Sequence, residues 1–331
     1  MPREQAIPPM LSIGGGCYTV VSFRATITSM NTIPTDQNLP VHLDKLAAQR
    51  KLYAKTKAVF ACQLIFSGPA AVAMAATGLV YPTLKVYFSL WGICFVVLDL
   101  VAFTPFTKSL RTNAAKIQEL FDCEVLQLPW NTACAGTKPS PELIHEQAES
   151  YRRNSGGNFP LENWYSPIVG SLPIHIGRVI CQRENCSWDG RQRSIYANWL
   201  LIIVVAVFVV SLFVGIAKQF LIEDMILLIF APLAPFFYAG LRQYVENREA
   251  AQQLDTLKVH AEKIWQNALD GQAVSKVTSS SRELQNEIFL SRKRSPPVFE
   301  WIFRKIRASF ESQMNYGAAQ LADQAKQRLD L

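Results

Sequence analysis

Residues 58–84 read AVFACQLIFSGPAAVAMAATGLVYPTL, 27 uncharged positions between Lys57 and Lys85. Residues 194–217 read SIYANWLLIIVVAVFVVSLFVGIA, 24 uncharged positions between Arg193 and Lys218. A helix rising about 1.5 Å per residue needs about 20 apolar residues to cross the hydrocarbon core of a bilayer. Each stretch is therefore long enough to span once. Each leads through a short turn into a second apolar run. Between Lys85 and Lys108 the only charge is Asp99, and 17 uncharged residues separate Asp224 from Arg242. The pattern predicts four transmembrane helices in two hairpins, with spans at about 59–80, 84–103, 199–217 and 225–241.

Two polar blocks surround the hairpins. The expected fold is mainly α. A pre-membrane helix and the first hairpin occupy 36–104, a mostly helical insert 105–198, the second hairpin 199–241 and a helical tail 242–331. Residues 1–35 are expected to be disordered or a misassigned extension, because Pro8-Pro9 and Gly14-Gly15-Gly16 interrupt any signal-like apolar run. Met30 precedes a natural beginning.

Lysine and arginine beside the spans set orientation. Lys45, Arg50, Lys51, Lys55 and Lys57 precede the first span. Lys108, Arg111 and Lys116 open the insert, Arg191 and Arg193 close it, and Arg242 and Arg248 start the tail. The hairpin turns carry one lysine each, Lys85 and Lys218. Insert, tail and both termini are thus expected in the cytoplasm. The net charge of +7 follows from this topology, with a contribution from anionic lipid, and calls for no DNA or RNA polymer as partner.

The chain shows no P-loop, GxSxG or HExxH, and its four histidines are far apart. No enzyme activity, metal or cofactor is expected. Cys181 and Cys186 have the spacing of half a zinc site, or are structural thiols in a reducing compartment. Leu254, Leu257, Ala261, Ile264 and Ala268 form a coiled-coil-like seam just over two heptads long. After Pro296-Pro297, residues Phe299, Ile302, Phe303, Ile306 and Phe310 make an amphipathic face, for the membrane surface or for the insert.

Three groups of residues carry candidate function. Asp99 costs about 2.5–3.5 kcal/mol at mid-bilayer on insertion scales; it lines a pore, pairs with a polar group or is hydrated near the interface. Trp164, Tyr165, Arg178, Arg183 and Trp188, with Arg191 and Arg193, suit a nucleotide, since arginine pairs with phosphate and aromatic faces stack on bases. The same residues also suit a topological anchor. Pro232 and Pro235 remove backbone bonds in span four and predict a kink or gate.

Gln49-Arg50-Lys51-Leu52-Tyr53, Phe121-Asp-Cys-Glu-Val-Leu-Gln-Leu-Pro-Trp-Asn131, Asn163-Trp164-Tyr165 and Ile180-Cys-Gln-Arg-Glu-Asn-Cys-Ser-Trp-Asp189 resemble the bacterial SMODS-associated four-transmembrane effector family. The resemblance covers about residues 36–310. It implies an effector of a cyclic-oligonucleotide anti-phage system in the bacterial inner membrane. The implied trigger is a cyclic di- or oligonucleotide from a cognate nucleotidyltransferase. The implied action is a pore or membrane disruption by a homo-oligomer, leading to abortive infection. A membrane-anchored adaptor or receptor without a pore is the alternative. A transporter would instead require internal symmetry and a polar midplane site, of which Asp99 is the one trace.

Overall fold

A computed structural model describes residues 31–155, 161–298 and 300–329, without the side chains of Leu79, residues 154–155, residues 300–312 and Met314. Residues 1–30 and the amphipathic face from Phe299 to Phe310 lie outside what is described. The part of the N-terminal segment that is described is packed. In α1 (Ile33–Asp36) Ile33 is fully buried, and the Asn31 amide donates to the backbone carbonyls of Val169 and Leu172 at 2.6 and 2.9 Å.

Every further element is helical, with no strand among the described residues. They are α2 (Pro40–Ser67), α3 (Pro69–Val80), α4 (Lys85–Leu98), α5 (Thr104–Val125), α6 (Thr132–Ala135), α7 (Pro141–Ser155), α8 (Ile174–Ala217), α9 (Ile222–Asp224), α10 (Ala231–Leu269), α11 (Val274–Arg294) and α12 (Glu300–Leu329). Four continuous helical stretches, 40–78, 82–125, 174–217 and 222–269, are long and apolar enough to cross a membrane. Each extends well beyond its apolar part. Short 3₁₀ and π segments lie between some of these helices.

The prolines explain the irregular turns. A proline cannot donate to the carbonyl four residues back, and its ring collides with that carbonyl. For Pro105 and Pro232 those carbonyls belong to Val101 and Leu228. Both sit inside π-helical segments, Asp99–Phe103 and Met225–Phe230, where bonding steps out to i→i+5. The helix of span two continues through Pro105 into α5. Gly68-Pro69 similarly divides α2 from α3 inside the first span.

A 3₁₀ turn at Pro167–Ser171 follows Asn163-Trp164-Tyr165 and precedes α8, which runs unbroken through Cys186 and Asp189 into span three. A turn around Gly271 separates α10 from α11, which starts at Val274.

Insert and tail share one core. Phe121, Tyr165, Val179 and Ile180 from the insert pack with Leu254, Ile264, Trp265, Leu284 and Ala322 from the tail, and with Ile33 and Leu46 from the N-terminal helices. Ninety-residue blocks alone are marginal because their surface is large relative to their volume; pooling them gives the apolar residues one interior. The heptad seam is spent there: Leu254, Leu257, Ala261, Ile264 and Ala268 are all buried in this core. In the spans, Ala71, Ala75, Leu228, Ile229 and Leu233 form a separate cluster.

Candidate functional site

The four motifs quoted from the sequence converge on Tyr165. Its ring is stacked on Phe121 at 6.1 Å between centroids. Its hydroxyl donates to Asp122 Oδ1 at 2.6 Å and accepts from Asn185 Nδ2 at 3.1 Å. Burial and the Asp122 charge push this phenol well above its usual range, which keeps it a donor. Next to it, Arg50 lies over the Trp164 ring at 5.6 Å, within cation–π range.

Asp122 leads into a buried ionic network between α5 and α11. Arg292 donates to Asp122 Oδ2 at 2.5 Å, Arg282 to Glu119 Oε1 at 2.6 Å, and Gln285 to both carboxylates at 2.8 and 2.9 Å. Glu119 and Asp122 are at most 1% exposed. Breaking a buried pair from one side costs about 3–5 kcal/mol, because the remaining charge is stranded. The network fixes where insert and tail meet. The sequence reading missed it; the only signal was polar pairs at i, i+3 on two separate helices.

At the junction of body and spans stands Asp99. It is 8% exposed and accepts from Gln63 of α2 and from Arg242 of α10, the latter at 3.3 Å. Arg242 also donates to Thr104 Oγ1 and Glu246 Oε1, each at 2.8 Å. Three of the four spanning stretches are thereby tied together at one level. The adjoining cavity, lined by Ser67, Phe95, Pro235 and Tyr238, has only about 10 Å³, near the lower limit for one water. At the opposite ends of the spans, Lys85 pairs with Asp224 at 2.8 Å and with Glu223 at 3.4 Å.

The aromatic and basic cluster divides. Tyr165 and Arg178 are buried, at 1% and 4% exposed. Arg178 Nε and one terminal nitrogen have no hydrogen-bond partner, and desolvation lowers its pKa to about 10. Trp164 packs against the core. Arg183 and Trp188, by contrast, come together with Arg191. They line a cavity of about 240 Å³ between α8 and α12, completed by Glu184, Ser187, Gln313, Gly317 and Ala318. Arg183 pairs with Glu262 of α10 at 2.9 Å, and Arg191 donates to Gln313 at 2.9 Å. Glu184 is 4% exposed. Neither of its carboxylate oxygens has a well-formed hydrogen bond, though the Ser166 backbone favours its charged form, and burial raises its pKa to about 8.

Cys181 and Cys186 pack in the core on α8. Burial pushes both thiols up, Cys186 to about 12, the opposite of what a thiolate ligand needs. Among the described residues no three His, Cys, Asp or Glu side chains are grouped to hold a metal.

Fold and sites define a four-span membrane protein whose spans are rooted in a single helical body. A model of the SMODS-associating 4TM effector domain matches residues 31–321, and the chain belongs to that family. It is also similar to a Bacillus cereus protein described as a "probable CBASS effector molecule", with 25% identity over 192 residues, 58% of this chain and 63% of that protein. The chain thus matches less than two thirds of that relative's length. No solved structure matches it.

Proposed function

We propose that this protein is the membrane-acting effector of a CBASS anti-phage system, switched by a cyclic di- or oligonucleotide and breaching the bacterial inner membrane as a homo-oligomer. The observation that carries the reading is continuity. The helix of span three begins at Ile174 deep in the body, and the helix of span four ends there at Leu269. No loop decouples the two ends, so a change in body packing tilts or shifts the spans directly. A ligand drives such a change only by its differential affinity for the two states.

Within one chain the polar cluster at Asp99 is closed around a cavity of about 10 Å³. Ions would therefore pass between protomers or after rearrangement at Asp99 and at the Pro232–Pro235 segment. The body would face the cytoplasm, where the lysines and arginines flanking the spans belong. The test is dye leakage from liposomes carrying the protein, with and without cyclic nucleotides. Leakage that no cyclic nucleotide alters defeats the gating.

The self-satisfied Asp99 cluster favours one alternative, a membrane-anchored adaptor without a pore. That reading expects normal ion permeability on overexpression and a partner protein bound to the body.

A further inference from the structure

The cavity between α8 and α12 has a composition that neither the spans nor the core requires. Arg183, Ser187, Trp188 and Arg191 occur at i, i+4, i+5 and i+8 and so share one face of α8. The facing wall is made by Gln313, Gly317 and Ala318. A Cβ built on Gly317 meets nothing within 4 Å. Two guanidinium groups and an indole thus stand opposite Gln313, Gly317 and Ala318, with the Glu184 side chain also on the lining, Arg191 bonded to Gln313 and about 240 Å³ enclosed. We propose that this cavity binds one base–phosphate unit of a nucleotide, the phosphate on Arg183 and Arg191 and the base against Trp188.

The chemistry follows from the residues. Guanidinium donors match phosphate oxygens in a fork, and a base stacks on an indole face. The volume lies just under the range of about 300–1,000 Å³ common for whole small-molecule sites. The pocket holds one unit while the rest of a larger nucleotide extends outside. A lipid headgroup is the other source of phosphate. Trp188 precedes Trp199, the start of the span, by 11 residues, about 16 Å along a helix, which puts the pocket away from the bilayer surface and favours a soluble ligand.

Binding also has a route to the spans. Arg183 is held by Glu262, so it links the helices that carry spans three and four. A bound phosphate competes with Glu262 for Arg183 and exchanges one α8–α10 contact for one to ligand. This inference rests on the effector reading above and adds where the signal enters.

The experiment uses the full chain in nanodiscs and measures affinity for cyclic di-AMP, cyclic di-GMP, cyclic GMP-AMP and cyclic tri-AMP, with inorganic phosphate and short-chain phosphatidylglycerol as competitors. Trp188→Ala and Arg191→Ala are expected to weaken binding at least tenfold, and Glu262→Gln to tighten it severalfold. Gly317→Phe fills open space, folds, and blocks binding. Thermal unfolding of each variant verifies folding. If the wild type binds a probe and Gly317→Phe and Arg191→Ala bind it equally well, the pocket is wrong and the effector reading survives. If the wild type binds none of the probes, the reading falls and takes the pocket with it. Competition by phosphatidylglycerol in place of free nucleotides identifies a lipid site and overturns the proposal.

Discussion

The backbone carbonyl of Ala231 lies so close to Gly92 that a Cβ on that glycine would sit 2.4 Å from the oxygen. Pro235, four residues after Ala231, has no N–H to offer this carbonyl. The proline in span four and the glycine in span two are therefore one device. The carbonyl left over by Pro235 faces Gly92 at the crossing with α4, where only a residue without a Cβ leaves room for it.

Gly92→Ala should accordingly separate the two spans and destabilise the protein by about 1–3 kcal/mol, the usual cost of overpacking. Thermal unfolding in detergent measures it. Gly78→Ala, whose Cβ would be 3.4 Å from Leu228, should cost distinctly less. Equal effects would show that the Gly92 crossing yields.

Asp99→Leu leaves Arg242 with Thr104 and Glu246 and should preserve membrane insertion while changing leakage or toxicity. Arg242→Leu, which strands Asp99 in a nearly dry site, should be the more destabilising of the two. Unaltered toxicity of Asp99→Leu at equal membrane abundance would confine Asp99 to packing.

Two buried arginines should respond in opposite ways. Arg292→Met strands Asp122, at 0% exposed, and should cost about 3–5 kcal/mol. Arg178→Met replaces a buried charge with two unpartnered nitrogens, and should leave stability unchanged or raise it. Denaturation midpoints of the two variants decide the matter; a large loss from Arg178→Met would mean that Arg178 has a partner in the functional assembly.

Glu184 makes the protein sensitive to pH. Its pKa rises from 4.5 to about 8 on folding because burial penalises the carboxylate. A raised carboxyl binds its proton more tightly in the folded state, so its contribution is present below pH 4.5 and is lost as pH rises through about 8. Stability should fall between about pH 5 and pH 8, and Glu184→Gln should flatten that slope. A variant with the wild-type slope would refute the assignment.

The heptad seam at Leu254–Ala268 shows where sequence reading reaches its limit. Its periodicity marks a buried face, but only the structure shows that the face packs on α8 and α11 of the same chain. Tyr165 and Arg178 were legible as aromatic and basic and therefore as ligand groups, but composition carries no information on burial, and both are inside. Arg183 and Trp188 share a cavity only because α8 runs as one continuous helix from Ile174 into span three. Glu184, Ser187, Gln313 and Gly317 were invisible as site residues, since they become neighbours only when α12 lies along α8.

By itself the sequence determined that this is a helical membrane protein with four spans in two hairpins. That much is local, because the cost of burying charge in hydrocarbon leaves a signature in each uncharged run. The motifs also indicated the family. Tertiary structure alone decided that insert and tail form one body, that Asp99 meets Arg242 across 143 positions, and that the freed carbonyl of Ala231 falls on Gly92. These depend on which helix faces pack together, and that choice is made by complementarity between residues far apart in the chain.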